Sequence, residues 1–127
     1  MKFITKIWVF FFSLLLSQDH WETAIFADDI WRYNVPDTEL DSDWNTTSFN
    51  DGSWTLGQGG FGYGDGDDGT ILDQAISVYF RKSFNVGDIT KFSKAILNAD
   101  YDDGFVAYLN GVEIARSDNL SNYGTIV

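Results

Sequence analysis

Asn110 and Gly111 stand between two apolar-rich runs, residues 105–109 and 112–116. A two-residue connection between antiparallel strands needs positive φ at both central positions, and Asn followed by Gly accepts it at the least cost. Residues 105–116 therefore predict a β-hairpin. A second tract alternates with period two. Val78, Phe80, Phe84 and Val86 fall on one face, and Tyr79, Arg81, Ser83 and Asn85 on the other. Lys82 interrupts the apolar face, which predicts a buried stem with its charged tip at a strand edge. Residues 31–35 and 95–101 give further strands, and residues 90–94 a short turn. The chain is rich in aromatic residues at 17% and has no amphipathic helical tract after its first residues, so it reads as all-β.

The start of the chain reads differently. Lys2 and Lys6 precede an apolar run over residues 7–16, after which Ser17, Gln18 and Asp19 turn the sequence polar. The run is shorter than the roughly 20 residues that span a bilayer, and a basic start before a short apolar run is the pattern of a secretory signal. Residues 1–17 are expected to be a signal peptide, 18–29 an N-terminal extension, and 30–127 the domain. After signal removal no membrane span is expected, and the location is secreted, extracellular or at the cell surface.

Charge and cysteine content exclude several functions. The formal net charge is −11, and it becomes −13 once Lys2 and Lys6 are removed. Nucleic acid requires clustered Lys and Arg, so no nucleic-acid partner is expected. The absence of cysteine excludes disulfides, thiolate metal sites and a cysteine nucleophile. His20 is the single histidine, and no Ser-His-Asp triad in a credible order is present. Asp102 and Asp103 are neighbours, and neighbours on a strand point to opposite faces, so they do not form a glycosidase pair. The chain is read as non-catalytic.

The motifs occur in a recognisable order. Trp31 and Trp44 come first, then Phe49-Asn50-Asp51-Gly52-Ser53-Trp54, then Gly62-Tyr63-Gly64-Asp65-Gly66. Tyr79-Phe80-Arg81-Lys82-Ser83-Phe84 follows, and Asp102-Asp103-Gly104 leads into the hairpin. This order resembles a galactose-binding-like jelly-roll module of secreted Bacteroidetes-type multidomain proteins, and is similar to the sugar-binding domain of family-two glycoside hydrolases. The resemblance implies a β-sandwich of the jelly-roll type. Counting about six strands where such a sandwich closes with seven or eight, the domain is expected to be incomplete at its C-terminus, with an open edge. The resemblance also implies an accessory role beside a catalytic neighbour, a phosphoesterase or a spore-coat kinase-like domain.

Residues 56–70 hold seven of the twelve glycines together with Asp65, Asp67 and Asp68. Closely spaced carboxylates and turn carbonyls suit Ca²⁺, which takes six to eight oxygen ligands. A full EF-hand is excluded because its twelfth position, a bidentate Glu, is Ile76 here. Asp65, Asp67 and Asp68 are the metal candidates, with a solvated, ion-free loop as the alternative. Phe61 and Tyr63 in the same loop are candidates for stacking on a sugar ring. Trp31, Trp44 and Trp54 share that chemistry, and core packing is the stronger reading for Trp44 and Trp54. Arg81 is a candidate for holding hydroxyls or carboxylates, although a plain salt bridge is the stronger reading. Asp103 is the last ligand candidate, with turn capping as its alternative. The expectation is a carbohydrate-binding accessory module using residues 59–69 and 102–104. The alternative is a structural module that packs against a neighbouring domain.

Overall fold

The computed structural model describes residues 20–64 and 66–120. The expected signal peptide, Asp65 and the end of the expected domain therefore lie outside the described residues. Strands and two short 3₁₀ turns make up the regular structure, in agreement with an all-β chain. The strands are β1 (Ile30–Asn34), β2 (Thr55–Gln58), β3 (Phe61–Gly62), β4 (Thr70–Ile71), β5 (Tyr79–Arg81), β6 (Val106–Leu109) and β7 (Val112–Arg116). The 3₁₀ turns are Ile89–Lys91 and Asp118–Leu120.

Three small sheets result. β1 lies between β2 and β5, antiparallel to both; β3 and β4 form a parallel pair; β6 and β7 form the hairpin. The hairpin follows the sequence expectation closely. Asn110 and Gly111 have φ of 53° and 83°, as a two-residue turn matched to strand twist demands. Ile114 is left over between the Tyr108–Glu113 and Ala107–Ala115 pairs, so β7 carries a bulge there.

Several expectations are corrected. The strand expected over residues 78–86 is only three residues long, because Lys82 leaves the ladder and donates from Nζ to the Ile30 carbonyl at 3.0 Å. Asp29 lies 3.4 Å from the same ammonium, so the charged tip is held at the start of β1, the central strand, and not at an open sheet edge. The glycine segment is not a plain loop but contains β2, β3 and β4. Gly64 and Gly66 hold the positive φ expected of such a segment, with nothing within 4 Å of an added Cβ, but other glycines serve close packing. A Cβ on Gly57 would lie 2.7 Å from Phe61 Cε1 and 2.9 Å from both Thr70 Oγ1 and Tyr33 Cε1. Residues 95–101 form no strand, and no hydrogen bond reaches 93–101 among the described residues.

The core is thin. Trp54, 7% exposed, is the one hydrophobic residue buried among those described, and nineteen large hydrophobic residues are exposed. Aromatic contacts provide much of the packing. Trp44 packs edge-on against Tyr79 at 4.8 Å and Tyr108 at 5.5 Å, which ties the central sheet to the hairpin. Phe61 meets Phe80 at 4.6 Å and Tyr33 at 5.4 Å, which ties the glycine segment to the other face of the central sheet.

Candidate functional site

Alternation along β1 and β5 sends Tyr33 and Phe80 to one face of the central sheet and Arg32 and Arg81 to the other. The two arginines are register partners, and like charges directly opposite repel unless an anion lies between them. Asp51 supplies it. Its Oδ2 accepts from Arg81 Nε at 2.8 Å, and its Oδ1 lies 3.4 Å from Arg32 Nε. Arg81 also donates from Nη1 to the Trp44 carbonyl and from Nη2 to the Thr46 carbonyl at 3.0 Å. Its guanidinium carbon lies 5.2 Å from the centre of the Phe49 ring. Arg32 Nη1 donates to the Trp54 carbonyl at 3.3 Å. The turn of Asn50, Asp51 and Gly52 is closed locally as well, by Gly52 N donating to Asn50 Oδ1 at 3.1 Å.

Arg81, a ligand candidate by sequence, therefore has every nitrogen engaged with the chain itself, and its side chain is 16% exposed. Phe61, a stacking candidate, lies between Tyr33 and Phe80. Tyr63 differs: it is 57% exposed. Asp67 is exposed and Asp68 half-buried, its carboxylate set against the Cα of Gly62. Asp65, the third metal candidate, lies outside the described residues. Among the described residues no group of three acidic or histidine side chains gathers as a cation site.

Asp103 sits in a turn of its own. Its φ is 64°, its amide donates to Asp102 Oδ1 at 2.8 Å, and its carbonyl accepts from Asn119 Nδ2. Gly104 is packed against Ser117 and Asn119. These bonds tie the turn to the far end of the hairpin, while residues 59–69 pack on the central sheet. The two loops expected to form one site are thus anchored to different sheets.

Open hollows lie on the surface of the described residues. One, of about 320 Å³, includes Leu97, Asn98, Tyr101, Phe105 and Arg116 in its lining; another, about 200 Å³, lies beside Arg32, Arg81 and Lys82. Arg116 is held by Glu113, with Nη2 2.7 Å from Oε2, and by the Leu120 carbonyl at 3.0 Å. The Arg116 donors hold the Glu113 carboxyl below the usual carboxylate range. Burial, with the Glu113 charge second, raises the Tyr108 hydroxyl above its ordinary value. Asp88 is lowered by accepting from the Thr90 hydroxyl and amide.

Asp51 and Arg32 were not singled out by sequence. Asp51 reads there only as part of a turn, because its partners lie in strands before and after it. Comparison with known protein families, curated proteins and solved structures finds no match. Among the described residues no helix is long and apolar enough to cross a membrane.

Proposed function

We propose that this chain is a non-catalytic β-module of a secreted or cell-surface protein that packs against the surface of a neighbouring protein domain, in a jelly-roll-type arrangement. The observation that carries the reading is the imbalance, among the described residues, between one buried hydrophobic residue and nineteen exposed large ones. Apolar side chains left exposed in such excess offer surface for a partner to cover. Two of the side chains suited to holding a small ligand instead hold the fold: Arg81 closes the Asp51 turn, and Phe61 packs against Tyr33 and Phe80.

The test is site-specific photo-crosslinking in the organism that makes the protein. Reactive residues at Ile71, Ile76 and Ile89, all exposed, are compared with one at Glu39. The reading expects crosslinks to a single polypeptide from the apolar positions and none from Glu39. Equal labelling at all four positions sinks it.

Carbohydrate binding is the second reading, and exposed Tyr63 supports it. An aromatic ring free in a glycine segment offers a stacking face for a sugar. Asp67 and Asp68 beside it supply carboxylates for hydroxyls or a bound Ca²⁺. A glycan array with and without Ca²⁺ tests this: binding lost in Tyr63→Ala supports it, and an array without signal removes it.

A further inference from the structure

Residues 93–101 combine three properties. Among the described residues their backbone groups have no hydrogen-bond partner, all of them are exposed, and their sequence alternates as a strand should. An unpaired strand-like segment is a template for another strand. Ile96 and Leu97 are 67% and 52% exposed, so apolar side chains accompany the unpaired backbone.

The sequence of this segment says which strand fits. Residues 94–100 read Lys-Ala-Ile-Leu-Asn-Ala-Asp. Turned about Leu97, the segment matches itself: Lys94 falls opposite Asp100, Ala95 opposite Ala99, Ile96 opposite Asn98, and Leu97 opposite Leu97. A two-fold interface is self-complementary, so each such contact occurs twice. Ala95, Leu97 and Ala99 share one face, where the small alanines leave room for the two leucines to meet. Lys94, Ile96, Asn98 and Asp100 share the other, where the charges pair. Parallel in-register pairing would set Lys94 on Lys94 and Asp100 on Asp100. A slip of one residue leaves both charges opposite uncharged side chains. A slip of two brings Lys94 to Asp102 but places Asp100 against Ile96.

We propose that residues 94–100 pair antiparallel with the same residues of a second copy of this chain, centred on Leu97, to form a symmetric homodimer. The inference goes beyond the packing role above, because its partner is a second copy and its surface excludes the crosslinking positions. Each chain carries a formal charge of −11, so two copies repel at long range. At about 0.15 M salt the Debye length is roughly 8 Å, which screens that repulsion while contact pairs persist.

Sedimentation equilibrium of the full chain over a range of concentrations, at that ionic strength, is the test. The mass is expected to rise from 14.4 kDa toward twice that value. Lys94→Asp sets Asp against Asp100, and Asp100→Lys sets Lys against Lys94. Each change occurs twice in the dimer and is expected to weaken association about tenfold to a hundredfold. Mixing the two variants in equal amounts restores opposite charges at both contacts, so the mixture is expected to form a heterodimer at parental strength. The double variant in one chain restores the homodimer in the same way. Both sites are exposed, and unchanged tryptophan fluorescence confirms that each variant is folded. A parent that stays monomeric at every concentration overturns the proposal. A dimer indifferent to the charge changes, or a mixture that fails to recover, overturns it too.

Discussion

Replacing Arg81 with Met removes the guanidinium while keeping much of the apolar stem. Four interactions go with it: the 2.8 Å pair with Asp51, the donors to the Trp44 and Thr46 carbonyls, and the contact with the Phe49 ring. Hydrogen bonds from charged groups contribute about 1.5–3 kcal/mol each when buried. Here solvent reaches part of the site, and Arg32 remains 3.4 Å from Asp51 to hold its charge. The loss is therefore expected at about 2–4 kcal/mol, below the sum of the separate bonds. Single domains are stable by only about 5–15 kcal/mol, so this is a large share. Urea unfolding followed by tryptophan fluorescence reads it directly, since Trp54 is buried beside the turn and Trp44 carries one acceptor carbonyl. With a slope of about 1 kcal/mol per molar for a small domain, the midpoint is expected to fall by roughly 2 M or more. Arg81→Lys keeps the charge but not the fork, and belongs between parent and Met variant. A loss below about 1 kcal/mol for the Met variant, the range of exposed surface pairs, would refute the view that Arg81 holds these segments together.

Gly111→Ala is expected to cost about 1–2 kcal/mol in the same assay. Its φ is 83° and the nearest atom, Thr46 Cγ2, is 3.7 Å from the added Cβ, so the cost is conformational and not steric. Phe61→Ala is expected to lose about 2–3 kcal/mol, whereas Tyr63→Ala stays within about 0.5 kcal/mol of the parent; equal losses would contradict the different placement of the two rings. The Glu113 carboxyl is lowered in the folded state by Arg116. Its contribution is thus present above the unfolded-state value and is lost as pH falls through the folded-state value. Stability measured from about pH 7 to about pH 3 should fall less steeply in Glu113→Gln than in the parent, and parallel curves would remove this pair from the acid response.

Local features were legible in the sequence. The hairpin was, because Asn110-Gly111 requires a backbone that few other structures use. One charge in an apolar face marked Lys82 as an interruption, and the strand does end before it, but its pairing with Asp29 and the Ile30 carbonyl was not legible. What depended on distant residues was not. Residues 78–86 alternate throughout, yet only Tyr79–Arg81 finds a neighbouring strand. The glycines of residues 56–70 suggested special backbone, which Gly60, Gly64 and Gly66 adopt, but not that Gly57 is needed for the close approach of Tyr33 and Phe61. A salt bridge for Arg81 was legible but its partner was not, because alternation assigns a face and says nothing of what covers it; Asp51, thirty positions earlier, does.

The order of strands in the central sheet sets a schedule for the growing polypeptide. β1 is made first but meets β5 only when Tyr79–Arg81 has been synthesised, about fifty residues later, whereas β6 and β7 are separated by a two-residue turn. At about 5–20 residues per second, β1 waits for several seconds with one flank unprotected. The hairpin forms within microseconds of its completion. The interval before β5 arrives is thus the moment when a nascent chain of this sequence is most exposed to wrong pairing, and when a holding chaperone would have most to bind.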